Sequence, residues 1–322
     1  MVQRNRRARQ GREVVREIVP KAAPVGAALY HGSHATLVTM HVSFGRELLS
    51  AILKAFLTTV TVVASIFVSV MLLIGFTDTT SSISDGACNI AVLPIDGTIL
   101  PFTGIGGFDL ITTPDWVAQF MDTAESDPNI AGVLLEINSP GGTPVASERI
   151  AQRIADSSLP VVGLIGDIGA SGGYMVGTAS DFLIASAMSD VGSIGVNMSY
   201  IEESQKNEEE GLTYVQLMTG KYKDIGSPNR PITDEERELL QADLEIIHSE
   251  FIDIIAKYRE LPRTEVELIA DGASMPGRRA LEADLIDAIG GRNQARAAFA
   301  GFTEINLDDI EFCEYQTSFL PF

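Results

Sequence analysis

Hydrophobic positions divide this chain into unlike stretches. Ala55–Phe76 runs for 22 residues without a charge and is rich in Val, Ile, Leu, Phe and small side chains. At about 1.5 Å of rise per residue, a helix of that length crosses a hydrocarbon core of roughly 30 Å. The run is longer than a signal-peptide apolar region, and Asp78–Gly86 after it lacks an A-x-A cleavage pattern. An uncleaved transmembrane anchor is therefore predicted over 55–76. Before it lies a basic segment, 1–54, whose first 40 residues read as poorly ordered. After it come a polar linker (77–87), a long body (88–300) and a tail (301–322).

The body alternates short apolar runs with amphipathic ones. Asn89–Leu100, with turn-forming Asp96-Gly97, predicts a strand and hairpin. Ile130–Ile137, Pro160–Gly166, Asp181–Ser186 and Tyr214–Met218 predict further strands. Thr113-Pro114 offers a cap and a first-position proline to a helix over Asp115–Glu125, expected to bury Trp116 and Phe120. A second helix is expected over Val145–Ala155. Thr233 and Glu236 form a capping box before an amphipathic helix reaching about Tyr258. Repeated β-α units of this kind indicate an α/β domain around a buried sheet. Gly104–Gly107 reads as an exposed loop without a phosphate-binding pattern.

Charge adds a direction. The 322-residue chain carries a formal charge of −20, which argues against nucleic acid as a partner. Residues 1–54 hold nine Lys and Arg against three Asp and Glu, leaving 14 basic and 40 acidic residues for the rest. By the positive-inside rule, residues 1–54 are cytoplasmic and 78–322 lie on the far side of the membrane. Arg4, Arg6, Arg7, Arg9, Arg12 and Arg16 form a solvated basic arm that fixes topology or rests on anionic lipid. On the outer side a disulfide between Cys88 and Cys313 is chemically allowed. His31, His34 and His41 show no metal-ligand spacing.

The candidate chemistry centres on Gly169-Ala170-Ser171-Gly172-Gly173-Tyr174, a lone serine among glycines after a strand. Small neighbours leave its hydroxyl uncovered, and the helix expected over Tyr174–Ala179 would point its positive end at that hydroxyl. Asn138-Ser139-Pro140-Gly141-Gly142 ends another strand with a second donor-rich turn. Together they read as nucleophile and oxyanion hole.

A serine hydroxyl needs a base. Gly169-x-Ser171-x-Gly173 formally matches a nucleophile elbow, but of four histidines only His248 shares the compartment, in mid-helix. Lysine becomes the leading base, from Lys206, Lys221, Lys223 and Lys257. Lys206 and Lys257 sit in solvated surroundings. Lys221 and Lys223 follow a predicted strand, and spacing does not choose between them. The pKa of such a lysine must fall by roughly three from its ordinary value of about 10.4, and burial against apolar walls can supply that fall.

These turns, followed by Val191-Gly192-Ser193-Ile194-Gly195-Val196 and Gly220-Lys221-Tyr222-Lys223-Asp224, resemble the signal peptide peptidase A family over about residues 88–295. The resemblance implies a ClpP/crotonase-like fold and a membrane-anchored serine endopeptidase. Ser171 would be the nucleophile, Lys223 the general base and Ser193 the residue orienting the lysine. Gly141, Gly142 and Gly172 would form the oxyanion hole. The implied chemistry needs no cofactor or metal. The implied substrates are apolar peptides such as cleaved signal peptides, met close to the lipid bilayer. A ring-like homo-oligomer is implied too, with Lys223 supplied by a neighbouring protomer. Ala283-Asp284 departs from the family's usual glycine, and the tail after Gly301 has no family counterpart. Two alternatives are a histidine-dependent esterase using His248 and an inert membrane scaffold.

Overall fold

The computed structural model describes residues 38–76, 83–102 and 110–313, and the chain divides into two compact units at Thr79–Thr80. In the first unit a single helix, α1 (Val38–Phe76), contains Leu48–Ser69, long and apolar enough to cross a membrane. It starts well before the predicted anchor because no proline interrupts Val38–Ala55. Thr58, Thr59, Thr61 and Ser65 satisfy their hydroxyls within the helix. Thr59 Oγ1 donates to the Ala55 carbonyl (2.8 Å) and Ser65 Oγ to that of Val62 (2.9 Å), which removes polar groups that lipid could not satisfy. The basic arm, the Gly104–Gly107 loop and the last nine residues lie outside the described residues.

The second unit runs in this order: β1 (Ile90–Ile99), β2 (Ile111–Thr112), α2 (Pro114–Ser126), β3 (Gly132–Gly142), α3 (Pro144–Ala155), β4 (Val161–Ala170), α4 (Gly172–Thr178), β5 (Phe182–Ala185) and β6 (Asp190–Gly192). Then come α5 (Ser204–Glu209), α6 (Asp234–Arg259), α7 (Arg263–Ile269), β7 (Ser274–Pro276), α8 (Gly277–Glu282), β8 (Ala288–Ile289), α9 (Arg292–Phe302) and β9 (Phe312–Cys313). The strands form one sheet in the order β2-β1-β3-β4-β5-β8. On it β9 pairs with β1, and β6 with β4 and β7. Every pairing is parallel except β6 with β7.

Both faces of the sheet are covered, so the first halves of β1 (Ile90–Leu93) and β3 (Val133–Leu135) read as short continuous apolar runs. Ala91, Leu93 and Ile95 of β1, with Val133, Leu135 and Ile137 of β3, join the core that also holds Val117, Met121, Ile150 and Ile255. Their neighbours Ile90, Val92 and Leu134 face Ala295 and Phe299 of α9. A side chain at Gly132 would place its Cβ 2.7 Å from the Phe299 ring, so that glycine sets how closely α9 lies on the sheet.

Four expectations change. Asp96-Gly97 makes no hairpin: β1 continues through it as an irregularity against β3, because pairing with β3 on both sides outweighs the local turn signal. Trp116 and Phe120 flank the core half-buried, while Val117, Met121 and Ala124 are the buried face of α2. Tyr214–Met218 has strand-like chemistry but no strand beside it, and Val215 and Leu217 are 73% and 94% exposed. Residues 301–313, expected as a tail, pack on the sheet: Ile310 is buried and β9 pairs with β1.

A disulfide joins Cys88, just before β1, to Cys313 in β9. It closes a loop with a sequence separation of 225. Loop-closure entropy at that length puts its contribution at about 2–5 kcal/mol. Reduction, or Cys313→Ser, is expected to lower the thermal midpoint by roughly 5–15 °C in scanning calorimetry. An unchanged midpoint would show that the bridge does not form.

Candidate active site

Parallel strands bring their C-terminal ends to one edge of a sheet, where α/β proteins bind ligands. Here β3, β4 and β6 each end in a glycine-rich motif. Register pairs Ser139 of β3 with Gly169 of β4, and Ala170 of β4 with Gly192 of β6. Ser171 and Ser193 therefore leave neighbouring strands side by side. The Ser171 N–H donates to the Gly192 carbonyl at 2.7 Å, which fixes the first serine against the second strand.

Ser171 sits at φ 51°, ψ −123°, a conformation that non-glycine residues rarely adopt. Such strain costs on the order of 1–3 kcal/mol and persists only where the surroundings impose it. They do so here. The Ser171 carbonyl accepts the Met175 N–H (2.9 Å) as α4 begins, while its amide is held by β6. Behind it, Tyr174 is fully buried and donates its phenol hydrogen to the Leu285 carbonyl at 2.7 Å. Gly141 lies directly against the serine. Its φ is +98°, and an added Cβ would fall 2.6 Å from the Gly172 nitrogen and 2.8 Å from the Ser171 Cβ.

The backbone donors around Ser171 are not equivalent. The Gly141 N–H donates to Ser139 Oγ (3.1 Å), which itself donates to the Gly97 carbonyl (2.6 Å), so that amide is committed inside the turn. The Gly142 nitrogen lies 3.3 Å from the position a Gly172 Cβ would take, which sets Gly142 and Gly172 against each other beside the serine.

Ser171, Ser193, Gly141 and Gly142 line one cleft of about 630 Å³. Ser193, at φ 50°, is tied to the opposite rim, its Oγ donating to the Gly272 carbonyl at 3.1 Å. The structure also supplies a wall that the sequence motifs do not reveal. Gln241, Leu244, Glu245 and His248 of α6 face the cleft, with Asp271 beside Gly272. Their spacing of three, four and seven is a helix face. That face was hidden because the apolar anchor of α6, Phe251, Ile252 and Ile255, lies in its second half. The His248 Nε2 is buried there without a hydrogen-bond partner.

Lys223 is elsewhere. It is exposed, in a turn between Gly220 and Gly226, and is not among the residues lining the cleft of its own chain. Lys221 is held by Glu235 at 2.6 Å, and that hydrogen bond raises its pKa above the ordinary value. Lys206 pairs with Glu203 at 3.1 Å. Among the described residues Lys223 makes no ion pair.

The model of peptidase family S49 matches residues 153–305, a stretch containing Ser171, Ser193 and Lys223. A Methanocaldococcus jannaschii protein named as a protease is 36% identical over 61% of this chain and 63% of its own length. An Enterococcus faecium protein named as a signal peptide peptidase is 30% identical over 74% of this chain and 70% of its own. Protease 4 of Haemophilus influenzae is 30% identical over 64% of this chain, which spans 33% of that relative.

Gly141→Ala is expected to cost roughly 1–3 kcal/mol of stability, from the positive φ alone. It should also slow labelling of Ser171 by a fluorophosphonate. Wild-type melting and wild-type labelling together would show that the close approach at Gly141 is dispensable.

Proposed function

This chain belongs to peptidase family S49, and we propose that it is a membrane-anchored serine endopeptidase working through Ser171 and Lys223. The observation that carries this reading is the strained Ser171, sharing one cleft with Ser193 and bordered by the Gly142 and Gly172 amides. In the proposed reaction neutral Lys223 takes the Ser171 hydroxyl proton as the oxygen attacks a peptide carbonyl. The Gly142 and Gly172 amides hold the developing oxyanion, while Gly141 shapes the turn. The lysine ammonium protonates the leaving amine, and a water activated by the same lysine releases the acyl group. Ser193 donates its hydrogen to Gly272, which leaves its oxygen lone pairs to accept from the lysine amine and orient it.

An exposed Lys223 outside the cleft of its own chain fits a base supplied by a neighbouring copy in a ring-like homo-oligomer. The segment before it supports that assembly: Ile201, Leu212, Val215 and Leu217 are all more than half exposed, an apolar stretch that calls for cover. Burial under a second copy would also supply the desolvation that a basic lysine requires. The apolar span in α1, the basic segment before it and the disulfide together favour a cytoplasmic N-terminus and a peptidase domain on the oxidising, extracytoplasmic side. Apolar peptides such as cleaved signal peptides, released at the bilayer, are the proposed substrates. The name of the Enterococcus relative supports that substrate class.

One observation favours a second reading. His248, with its unpartnered Nε2, lines the cleft beside Ser171, as a histidine-dependent esterase would require. Hydrolysis of a fluorogenic apolar peptide by the full chain in detergent separates the two. Ser171→Ala and Lys223→Ala should each lower kcat by at least about 10³-fold, and His248→Ala by far less. The reverse order for Lys223 and His248 would establish the esterase-like base.

Subunits carrying Ser171→Ala, mixed with subunits carrying Lys223→Ala, are expected to regain activity on reassembly. If the mixture stays inactive while the wild type survives the same treatment, the dyad lies within one protomer.

A further inference from the structure

Lys223 lies on an irregular turn, yet a general base must be placed to within a fraction of an ångström. Within the turn, the Lys223 N–H donates to the Gly220 carbonyl (3.2 Å) and the Ile225 N–H to that of Tyr222 (3.2 Å). Those two bonds alone leave it free to swing. Several side chains outside the turn hold it: Glu235 of α6 accepts from Lys221 and Tyr222, Tyr214 and Gln216 donate to Asp224, and Arg230 bridges Asp224 to α6.

Arg230 uses almost its whole guanidinium on this task. Its Nε donates to the Asp224 carboxylate at 3.0 Å and its Nη2 to the Asp224 carbonyl at 3.1 Å. The outer edge forks onto Glu236, with Nη1 at 2.9 Å from one oxygen and Nη2 at 2.6 Å from the other. Glu236 is itself fixed, its carboxylate accepting the Thr233 N–H at 3.0 Å in the capping box of α6. A single planar cation thus ties the residue after Lys223 to the first turn of the helix whose next turns line the cleft. We propose that Arg230 is a positioning residue for Lys223, clamping its turn to α6. This rests on the assignment of Lys223 as the base.

The clamp has an electrostatic side. The charged and titratable groups around the turn are Asp224, Glu235, Glu236, Lys221, Arg230, Tyr214 and Tyr222. Glu235 is neutralised by Lys221, and Tyr222 also donates to it. Asp224 and Glu236 share Arg230, and Tyr214 donates to Asp224 at 3.0 Å. Arg230 holds the Glu236 carboxyl down to about 2, so the clamp stays charged through any practical assay range. Removing the guanidinium would leave the Asp224 carboxylate beside Lys223 without its cation.

Lysine does not replace this arginine, because an ammonium cannot make a planar fork to two carboxylates at once. The full chain is assayed with the fluorogenic peptide, with assembly followed by light scattering and stability by thermal melting. Arg230→Gln is expected to lower kcat by at least about tenfold with KM little changed. Arg230→Lys should melt and assemble as wild type and still lose kcat, which keeps the test open if the glutamine variant fails to assemble.

Wild-type kcat in Arg230→Lys would overturn the proposal. So would a loss of kcat in both Arg230 variants that tracks lost assembly. Lys223→Ala, run alongside, separates the two levels of inference. If it remains active, the base assignment falls and the clamp falls with it. If it is inactive while both Arg230 variants behave as wild type, the clamp alone is wrong.

Discussion

A change of partner along β4 is the constraint on which the rest depends. Its first half, Val162–Ile165, pairs with β5, and its second half, Ile168–Ala170, pairs with β6. β3 occupies the other edge of β4, so β5 and β6 share one edge in turn, and the sheet opens where β5 stops at Ala185 and β6 takes over. That switch lets Ser193 come up beside Ser171 and sets a cleft at the C-terminal edge. On the other side of β4, β3 shifts register between Ile137 and Ser139, which turns the Gly141-Gly142 backbone toward the same serine. Strand pairing, rather than side-chain contact, therefore assembles most of the cleft's reactive rim.

The strain at Ser171 persists because it is imposed from below. The serine caps a short helix whose residues, Gly172–Thr178, are all buried among β3, β4 and α3. Gly172 and Gly173 pack where a Cβ would fall 2.1 Å from the Ser147 Oγ and 2.5 Å from the Ser139 carbonyl oxygen. Close packing of that kind gives the backbone no room to relax. Rigidity under the serine contrasts with the segment from Asn197 to Pro231, where exposed apolar side chains and irregular backbone surround Lys223. One half of the proposed dyad is built into the core; the other is carried on an exposed turn.

Much of this is legible in the residues themselves. Both glycine motifs announce themselves because only glycine tolerates a positive φ at Gly141 or the close approaches at Gly172 and Gly173. The capping box at Thr233 and Glu236 lies within three residues and forms as expected. Expectation and structure part where local chemistry meets a distant competitor. Asp96-Gly97 has turn chemistry, yet β3 holds it in a strand. Val215 and Leu217 have strand chemistry, yet no strand lies beside them. The Phe312-Cys313 pair has no local signature at all, and it joins the sheet because β1 leaves a free partner position and Cys88 lies within bonding reach.

The sequence alone determined strands β3, β4 and β5 and helices α2, α3 and α6 of the core, the apolar span of α1, and which serine and glycines are chemically unusual. These follow from periodicity, glycine conformation and capping, all of which act over a few residues. Only the tertiary structure decided that Ser193 stands beside Ser171, that Gly141 commits its amide to Ser139, and that His248 faces the cleft. It also decided that Lys221 is engaged by Glu235 while Lys223 is not. Each of these depends on strand register or on the direction of a side chain across a gap in sequence. Long-range packing selects among such arrangements, and no short stretch of residues encodes the choice.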